Sequence, residues 1–309
     1  MIKLPNGKTI SDVVISTALG VDGRGIFPHT LKPCYRNLLT AARQTSTTVI
    51  TKSMTRHKRT GNFIRCNPFT WKYIQKLPSR SKCALLNAYE LTNPGVEKCV
   101  KYLKKTDNSR IIPSLYPEFS KGEDMAIYEA RVAVGILEDD LIGLISNNAI
   151  EAAELNLSCP NSKEVIAKNM QNSLRCVKDL KKFFSELFII AKISIVHPYE
   201  FAQELERIGI DAIHSVNTIP FEMVYPGKIS PLAKVGGGGV SGSPIFWQAY
   251  DYNNGLRQKV KVPIIMGGGV TNSDYAIKYK GIGADAVSIC TVALRNPKEA
   301  RKIVELFNV

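Results

Sequence analysis

No stretch of this 309-residue chain approaches the ~20 consecutive apolar residues that a membrane-spanning helix requires. The opening, Met1-Ile2-Lys3-Leu4-Pro5-Asn6-Gly7-Lys8, is broken by Pro and Gly and lacks the apolar centre of a secretory signal. A cytoplasmic protein is expected. Low-complexity tracts are missing, which argues against disorder. No internal repeat stands out beyond an alternation of strands and helices. The seven cysteines (Cys34, Cys66, Cys83, Cys99, Cys159, Cys176 and Cys290) are odd in number and contain no C-x-x-C pair. Neither a disulfide framework nor a zinc or iron–sulfur ligand set is expected, and no metal site. Most of these thiols read as small packed hydrophobes; Cys159 is the exception.

Positive charge is in surplus, with 41 Lys and Arg against 27 Asp and Glu and a net charge of +14. The basic residues are scattered, apart from short clusters such as Arg56-His57-Lys58-Arg59 and Lys181-Lys182. That pattern reads as a solubilising surface that steers anionic small molecules, in preference to a nucleic-acid face.

Short, β-branched apolar runs recur at Val13–Thr17, Thr47–Thr51, Arg110–Leu115, Ala152–Leu157, Phe188–Ile193, Ala212–Val216, Val262–Met266 and Ala286–Cys290. Strands buried on both faces read this way. Helical patterns separate them. Glu123–Leu137 carries Met125, Tyr128, Val132 and Ile136 along one side, and Asn172–Leu187 carries Leu174, Val177, Leu180 and Phe184. Gly209 and Gly281 are placed as helix stops, and Asn296-Pro297 as a helix start. Eight strands alternating with helices imply parallel pairing. An open doubly wound sheet meets the same pattern. Closure is favoured because Gly, Asn, Lys and Cys gather at the C-terminal ends of many different strands, where a barrel builds its site. The expected fold is therefore α/β: a (β/α)8 TIM barrel spanning residues 1–309 as one domain. An excursion follows strand two (Ser53–Asn108), and a long loop follows strand six (Ile219–Lys261).

The chemistry gathers at Glu154-Leu155-Asn156-Leu157-Ser158-Cys159-Pro160-Asn161, at a strand's C-terminal end. A thiol there serves as base or nucleophile if its pKa falls toward working pH. The amides of Asn156 and Asn161 suit a heterocycle with C=O and N–H edges. A buried Cys beside a Pro turn accounts for the same residues equally well. Gly268 and Gly269, before a helix near Asn272, and Gly242, before Ser243-Pro244, suit the close approach of backbone N–H groups to a phosphate; ligand-free tight turns are the alternative.

The run Asn156–Asn161 (N-L-S-C-P-N) is similar to the active-site strand of the class 1, soluble dihydroorotate dehydrogenases, and the resemblance extends in order over nearly the whole chain. Thr51-Lys52-Ser53 resembles the family's T-K-S, Asn87 through Gly95 its substrate loop, and Val216-Asn217-Thr218 its V-N-[ST]. Lys192 stands at the strand-five lysine. Gly238-Gly239-Val240-Ser241-Gly242, Gly267-Gly268-Gly269-Val270 and Cys290-Thr291 resemble its remaining turns. The resemblance implies FMN-dependent oxidation of dihydroorotate to orotate in pyrimidine biosynthesis. Cys159 would remove the C5 proton while hydride passes from C6 to flavin N5. It implies substrate contacts from Lys52, Asn87, Leu91, Asn156, Asn161, Asn217 and Thr218. Flavin contacts are implied for Lys52, Asn156, Lys192, Val216, Gly242, Gly268, Gly269, Cys290 and Thr291. It also implies a homodimer that either stands alone or passes electrons to an FAD and iron–sulfur subunit. Strand alternation puts Glu154 out of phase with Cys159, so Glu154 is expected to face elsewhere.

Three segments depart from the family pattern. Tyr89-Glu90 replaces a hydrophobic residue and Gly in the substrate loop, Ser16–Gly20 matches only loosely and receives no contact, and the lid 162–167 lacks Pro-Gly character. A Glu beside a substrate carboxylate repels it, so a neutral dihydropyrimidine such as dihydrouracil is an alternative substrate. A tRNA-acting flavin barrel similar to the dihydrouridine synthases is a further alternative.

Overall fold

A computed structural model describes residues 1–5, 7–64, 67–104, 110–138, 152–158 and 169–308. Cys159 and Asn161, the lid 162–167 and Cys66 lie outside the described residues.

The eight expected strands all form. They are β1 (Val13–Ser16), β2 (Val49–Ile50), β3 (Ile111–Ile112 and Ser114–Leu115), β4 (Ala152–Asn156), β5 (Phe188–Lys192), β6 (Ala212–Ser215), β7 (Ile264–Met266) and β8 (Ala286–Ile289). Every pairing among them is parallel and each strand lies beside its successor, with β8 returning to β1. Strand β3 is interrupted at Pro113, which has no N–H to give a ladder. Its first half pairs with β2 and its second with β4, so the break sits where the sheet closes.

Alternation sorts the side chains. Val14, Ile50, Ile112, Ala152, Ile190, Ala212, Ile265 and Ala286 form an apolar layer inside the barrel, joined by Ile2, Leu4 and Ile10 of an N-terminal hairpin. The opposite parity, including Val13, Leu155, Ile189, Ile213 and Val287, faces the surrounding helices. Two residues further along each strand from the apolar layer, the interior turns polar. Ser16, Ser114, Glu154, Lys192 and His214 are all buried. Because β4, β5 and β6 are in parallel register, Asn156 stands beside Lys192, and Lys192 beside His214.

Both long connections contribute to one four-stranded antiparallel sheet, in the order Ile219–Pro220, Gly239–Gly242, Ala84–Asn87, Ile74–Lys76. The excursion and the long loop are thus parts of a single structure.

Two helical details differ from expectation. Helix Glu123–Leu137 buries Ala126, Ala130, Ala133, Val134 and Leu137, while Met125 and Tyr128 are exposed. The helix neighbours helix Met170–Phe183 and turns mostly small residues inward, so Met125 and Tyr128 point outward. The positive φ that follows helix Ser273–Gly281 belongs to Gly283, at 88°, with Gly281 still inside the helix. Gly209 does take the left-handed position, and Asn296 does cap Glu299 N–H ahead of Pro297.

Candidate active site

The buried polar groups at the C-terminal end of β4 are bonded into one network. Asn156 Nδ2 donates to Ser53 Oγ at 2.9 Å. Ser53 and Ser114 hydroxyls are 2.9 Å apart, and Ser114 Oγ donates to Glu154 Oε1 at 2.7 Å. From β6, Asn217 Nδ2 donates to the Ser158 carbonyl at 3.0 Å and reaches Asn156 Oδ1 at 3.3 Å. Thr218 N–H donates to Asn217 Oδ1 at 2.9 Å. These bonds hold Asn156, Asn217 and Thr218 together. The rest of the motif, Cys159 and Asn161, lies outside the described residues.

Lys192 lies 4.0 Å from Glu154 Oε1 and donates to Ser16 Oγ at 3.3 Å. Ser16, on the strand end assigned no ligand contact from the sequence, thus supports Lys192. Glu154 points into the barrel interior, and Cys159, from which it was expected to turn away, lies outside the described residues. Glu154 shares its inward parity with Asn156, bonds to His214 Nδ1 through Oε2 at 2.5 Å, and is 1% exposed. Burial alone pushes its carboxyl up, but Lys192, His214 and Ser114 together overcome this and hold it at about 2. His214 is pushed down, by burial first and by the Lys192 charge second, against the pull of Glu154. We read the pair as ionised Glu154 beside a neutral imidazole, because burial penalises a second charge and the Lys192 ammonium already balances the carboxylate. Lys192 and Lys52 both act on the Cys290 thiol, which desolvation nevertheless pushes up. The two lysines and Cys290 thus share one electrostatic environment.

The substrate-loop departure resolves locally. Glu90 and Leu91 have φ of 58° and 52°, a left-handed backbone that costs most residues about 1–2 kcal/mol and Gly little. The Glu90 carboxylate lies 3.7 Å from Arg59, which also donates to Glu118 at 2.7 Å. The Tyr89 ring lies beneath Lys52 Nζ, 3.5 Å away. Leu91 is buried against Tyr116. Asn87, at the end of its strand, donates to the Gly239 carbonyl at 3.3 Å. Val216 packs into the cluster beneath the antiparallel sheet.

The glycine turns have a packing cause of their own. A Cβ on Gly242 would stand 1.9 Å from the Cys83 carbonyl oxygen, one on Gly268 2.6 Å from Ala249 Cβ, and one on Gly269 2.5 Å from Phe246 Cα. The spaces a side chain would enter are filled by protein. Thr291 Oγ1 hydrogen-bonds to Ser241 Oγ at 2.9 Å, joining the end of β8 to the antiparallel sheet.

A flavin fits this donor set on two counts. Lys192, at the end of β5, and Lys52, just after β2, are both close enough to act on the Cys290 thiol, and Thr218 Oγ1 is buried with no hydrogen-bond partner. Sequence reasoning missed Ser16, Ser53, Ser114, Ser158 and His214. Ser53 stood inside a quoted motif, and His214 lies in phase with Val216 two residues later.

The profile of the dihydroorotate dehydrogenase family matches residues 33–308. The chain belongs to the dihydroorotate dehydrogenase family. It is therefore a class 1 member of a family of flavin-dependent oxidoreductases. A relative from Caldicellulosiruptor bescii, named dihydroorotate dehydrogenase B (NAD(+)), catalytic subunit, is 30% identical over 270 residues, covering 83% of this chain and 79% of that one. A protein of the same name from Oceanobacillus iheyensis is 29% identical over 226 residues, covering 71% and 70%. The ligand-free dihydroorotate dehydrogenase of Eimeria tenella superposes with a TM-score of 0.65 at 17% identity, over 98% of this chain and 85% of that one. That likeness supports the barrel fold. Among the described residues no helix is long and apolar enough to cross a membrane, and no group of three or more His, Cys, Asp or Glu could hold a metal.

Proposed function

We propose that residues 1–309 form one catalytic barrel that binds FMN and oxidises dihydroorotate to orotate. The observation that carries this reading is the Asn156–Asn217–Ser158 network set beside Lys192 in a chain of this family. Removing hydrogen across the C5–C6 bond requires a base for the C5 proton and an acceptor for the C6 hydride. When bound, the flavin supplies the hydride acceptor at N5. Cys159 takes the C5 proton at its thiolate. Asn87, Asn156, Asn161 and Asn217, with Leu91, Thr218 and Lys52, hold the pyrimidine. A site of fixed amides discriminates well, because an analogue lacking a partner leaves a buried polar group unpaired. Lys192 would hold the flavin with a fixed positive charge, which would favour the reduced ring. Val216, Gly242, Gly268, Gly269, Cys290 and Thr291 would complete the cofactor wall, where the glycine turns could offer backbone N–H groups to its phosphate.

Dihydroorotate is preferred over a neutral dihydropyrimidine because Glu90 is engaged with Arg59, which offsets the repulsion its carboxylate would exert on a substrate carboxylate. Two relatives are named as catalytic subunits that use NAD(+). By that likeness, an FAD and iron–sulfur partner subunit takes the electrons from a homodimer of this chain in the cytoplasm. Anaerobic titration of the purified flavoprotein tests the reading. Dihydroorotate should bleach the flavin and dihydrouracil should not. Bleaching by dihydrouracil alone, or by neither, overturns it.

A further inference from the structure

Below the proposed site, three titratable side chains from three adjacent strands sit inside the barrel: Glu154 on β4, Lys192 on β5 and His214 on β6. Their side chains are 1%, 9% and 2% exposed. Glu154 lies at the centre. Its Oε1 receives the Ser114 hydroxyl at 2.7 Å and lies 4.0 Å from Lys192 Nζ, while Oε2 meets His214 Nδ1 at 2.5 Å. Lys192 in turn donates to Ser16 on β1, and both it and Lys52 act on the Cys290 thiol. An ionised carboxylate only accepts hydrogen bonds, so His214 Nδ1 is the donor.

The consequence is electrostatic. Lys192 is the register partner of Asn156, and Glu154 is its counter-charge. Whatever draws negative charge toward Oε2 leaves more of the ammonium's field for the space above it. A neutral Nδ1–H does this without adding a net charge to a buried cluster, which an imidazolium would not. His214 touches neither substrate nor cofactor in the proposed arrangement.

We propose that His214 is a positioning residue: acting through Glu154, it sets how much of the Lys192 charge reaches the cofactor site, and so sets the flavin's reduction potential. The inference rests on flavin binding as read above.

The test is a spectroscopic redox titration of the flavin in the purified holoprotein, in wild type, His214→Leu and His214→Asn. The Leu variant removes the donor at similar volume. Its equilibrium constant for flavin reduction should fall about tenfold, a shift of ~30 mV downward for a two-electron couple. Asn can place an amide N–H where Nδ1 stands, and its potential should return to within about twofold of wild type on the same scale. In a Glu154→Gln background, His214→Leu should change the potential by less than about twofold, because the effect runs through the carboxylate. An unchanged or raised potential in His214→Leu overturns the proposal, as does an undiminished shift in the Glu154→Gln background. Should the Leu variant fail to fold, 15N spectra of wild-type histidines decide. A neutral Nδ1–H tautomer for His214 between pH 5 and 8 is expected, and an imidazolium or Nε2–H form overturns the proposal. Absence of flavin in wild type would refute the functional reading itself, whereas bound flavin of unchanged potential in His214→Leu refutes this inference alone.

Discussion

Replacing Lys192 with Met isolates the buried carboxylate and tests the electrostatics of the barrel interior. Glu154 is 1% exposed and sits 4.0 Å from the ammonium. At that separation and an effective dielectric near 20, the lost attraction is about 4 kcal/mol. The carboxyl can escape by taking up a proton, which limits the cost. Its folded value of about 2, against 4.5 ordinarily, measures how strongly its partners favour the charged form, and corresponds to about 3 kcal/mol. The value is shared among Lys192, His214 and Ser114 against burial. The size of the effect is therefore taken from buried pairs that lose one partner, and Lys192→Met should lose about 3 kcal/mol at pH 7. Urea unfolding of flavin-free protein is the assay, since bound ligand would add its own stabilisation. With m near 3 kcal/mol/M, the midpoint should drop by about 1 M. Adding Glu154→Met should recover at least half of the loss, because no unpaired charge remains. A loss below about 1 kcal/mol, or additive losses in the double variant, would refute the reasoning.

Gly269→Ala should destabilise the flavin-free protein by about 3 kcal/mol, because its Cβ would sit 2.5 Å from Phe246 Cα at a φ of 77°. Unchanged urea stability, with only flavin affinity lost, would make that glycine a ligand-binding position alone. Acid should weaken the fold in two steps. Burial holds His197 down at about 4 and also lowers His214; their stabilising contribution is complete above the unfolded value near 6.5 and is lost as pH falls toward 4. Glu154, held at about 2, contributes fully above 4.5 and is lost as pH falls through 2. His197 alone corresponds to about 3 kcal/mol between pH 6.5 and 4, so urea midpoints that stay flat across that interval would contradict its burial as a neutral ring.

The eight barrel strands were legible because a strand covered on both faces must be apolar throughout, and such runs survive inspection of sequence alone. Closure was legible only indirectly, from polar residues gathering at many strand ends. The face of helix Glu123–Leu137 was misread because amphipathic patterning rewards large apolar residues, whereas this helix buries Ala126, Ala130 and Ala133. At the site, residues within one motif were found together, as with Asn217 and Thr218. The Glu154–His214 contact joins residues 60 apart in sequence, and Arg59 reaches Glu90 across the excursion. No local spacing encodes either pairing. Within its strand, Glu154 shares the phase of Asn156, which puts both inside the barrel.

The claim on which the functional account turns is that the Cys159 thiol is the proton acceptor. Anaerobic stopped-flow reduction of the flavin by dihydroorotate, in wild type and Cys159→Ser near neutral pH, addresses it directly. The serine variant should retain flavin and slow its reduction by about 100-fold or more, since a hydroxyl is a far poorer base. Reduction at the wild-type rate would contradict the account.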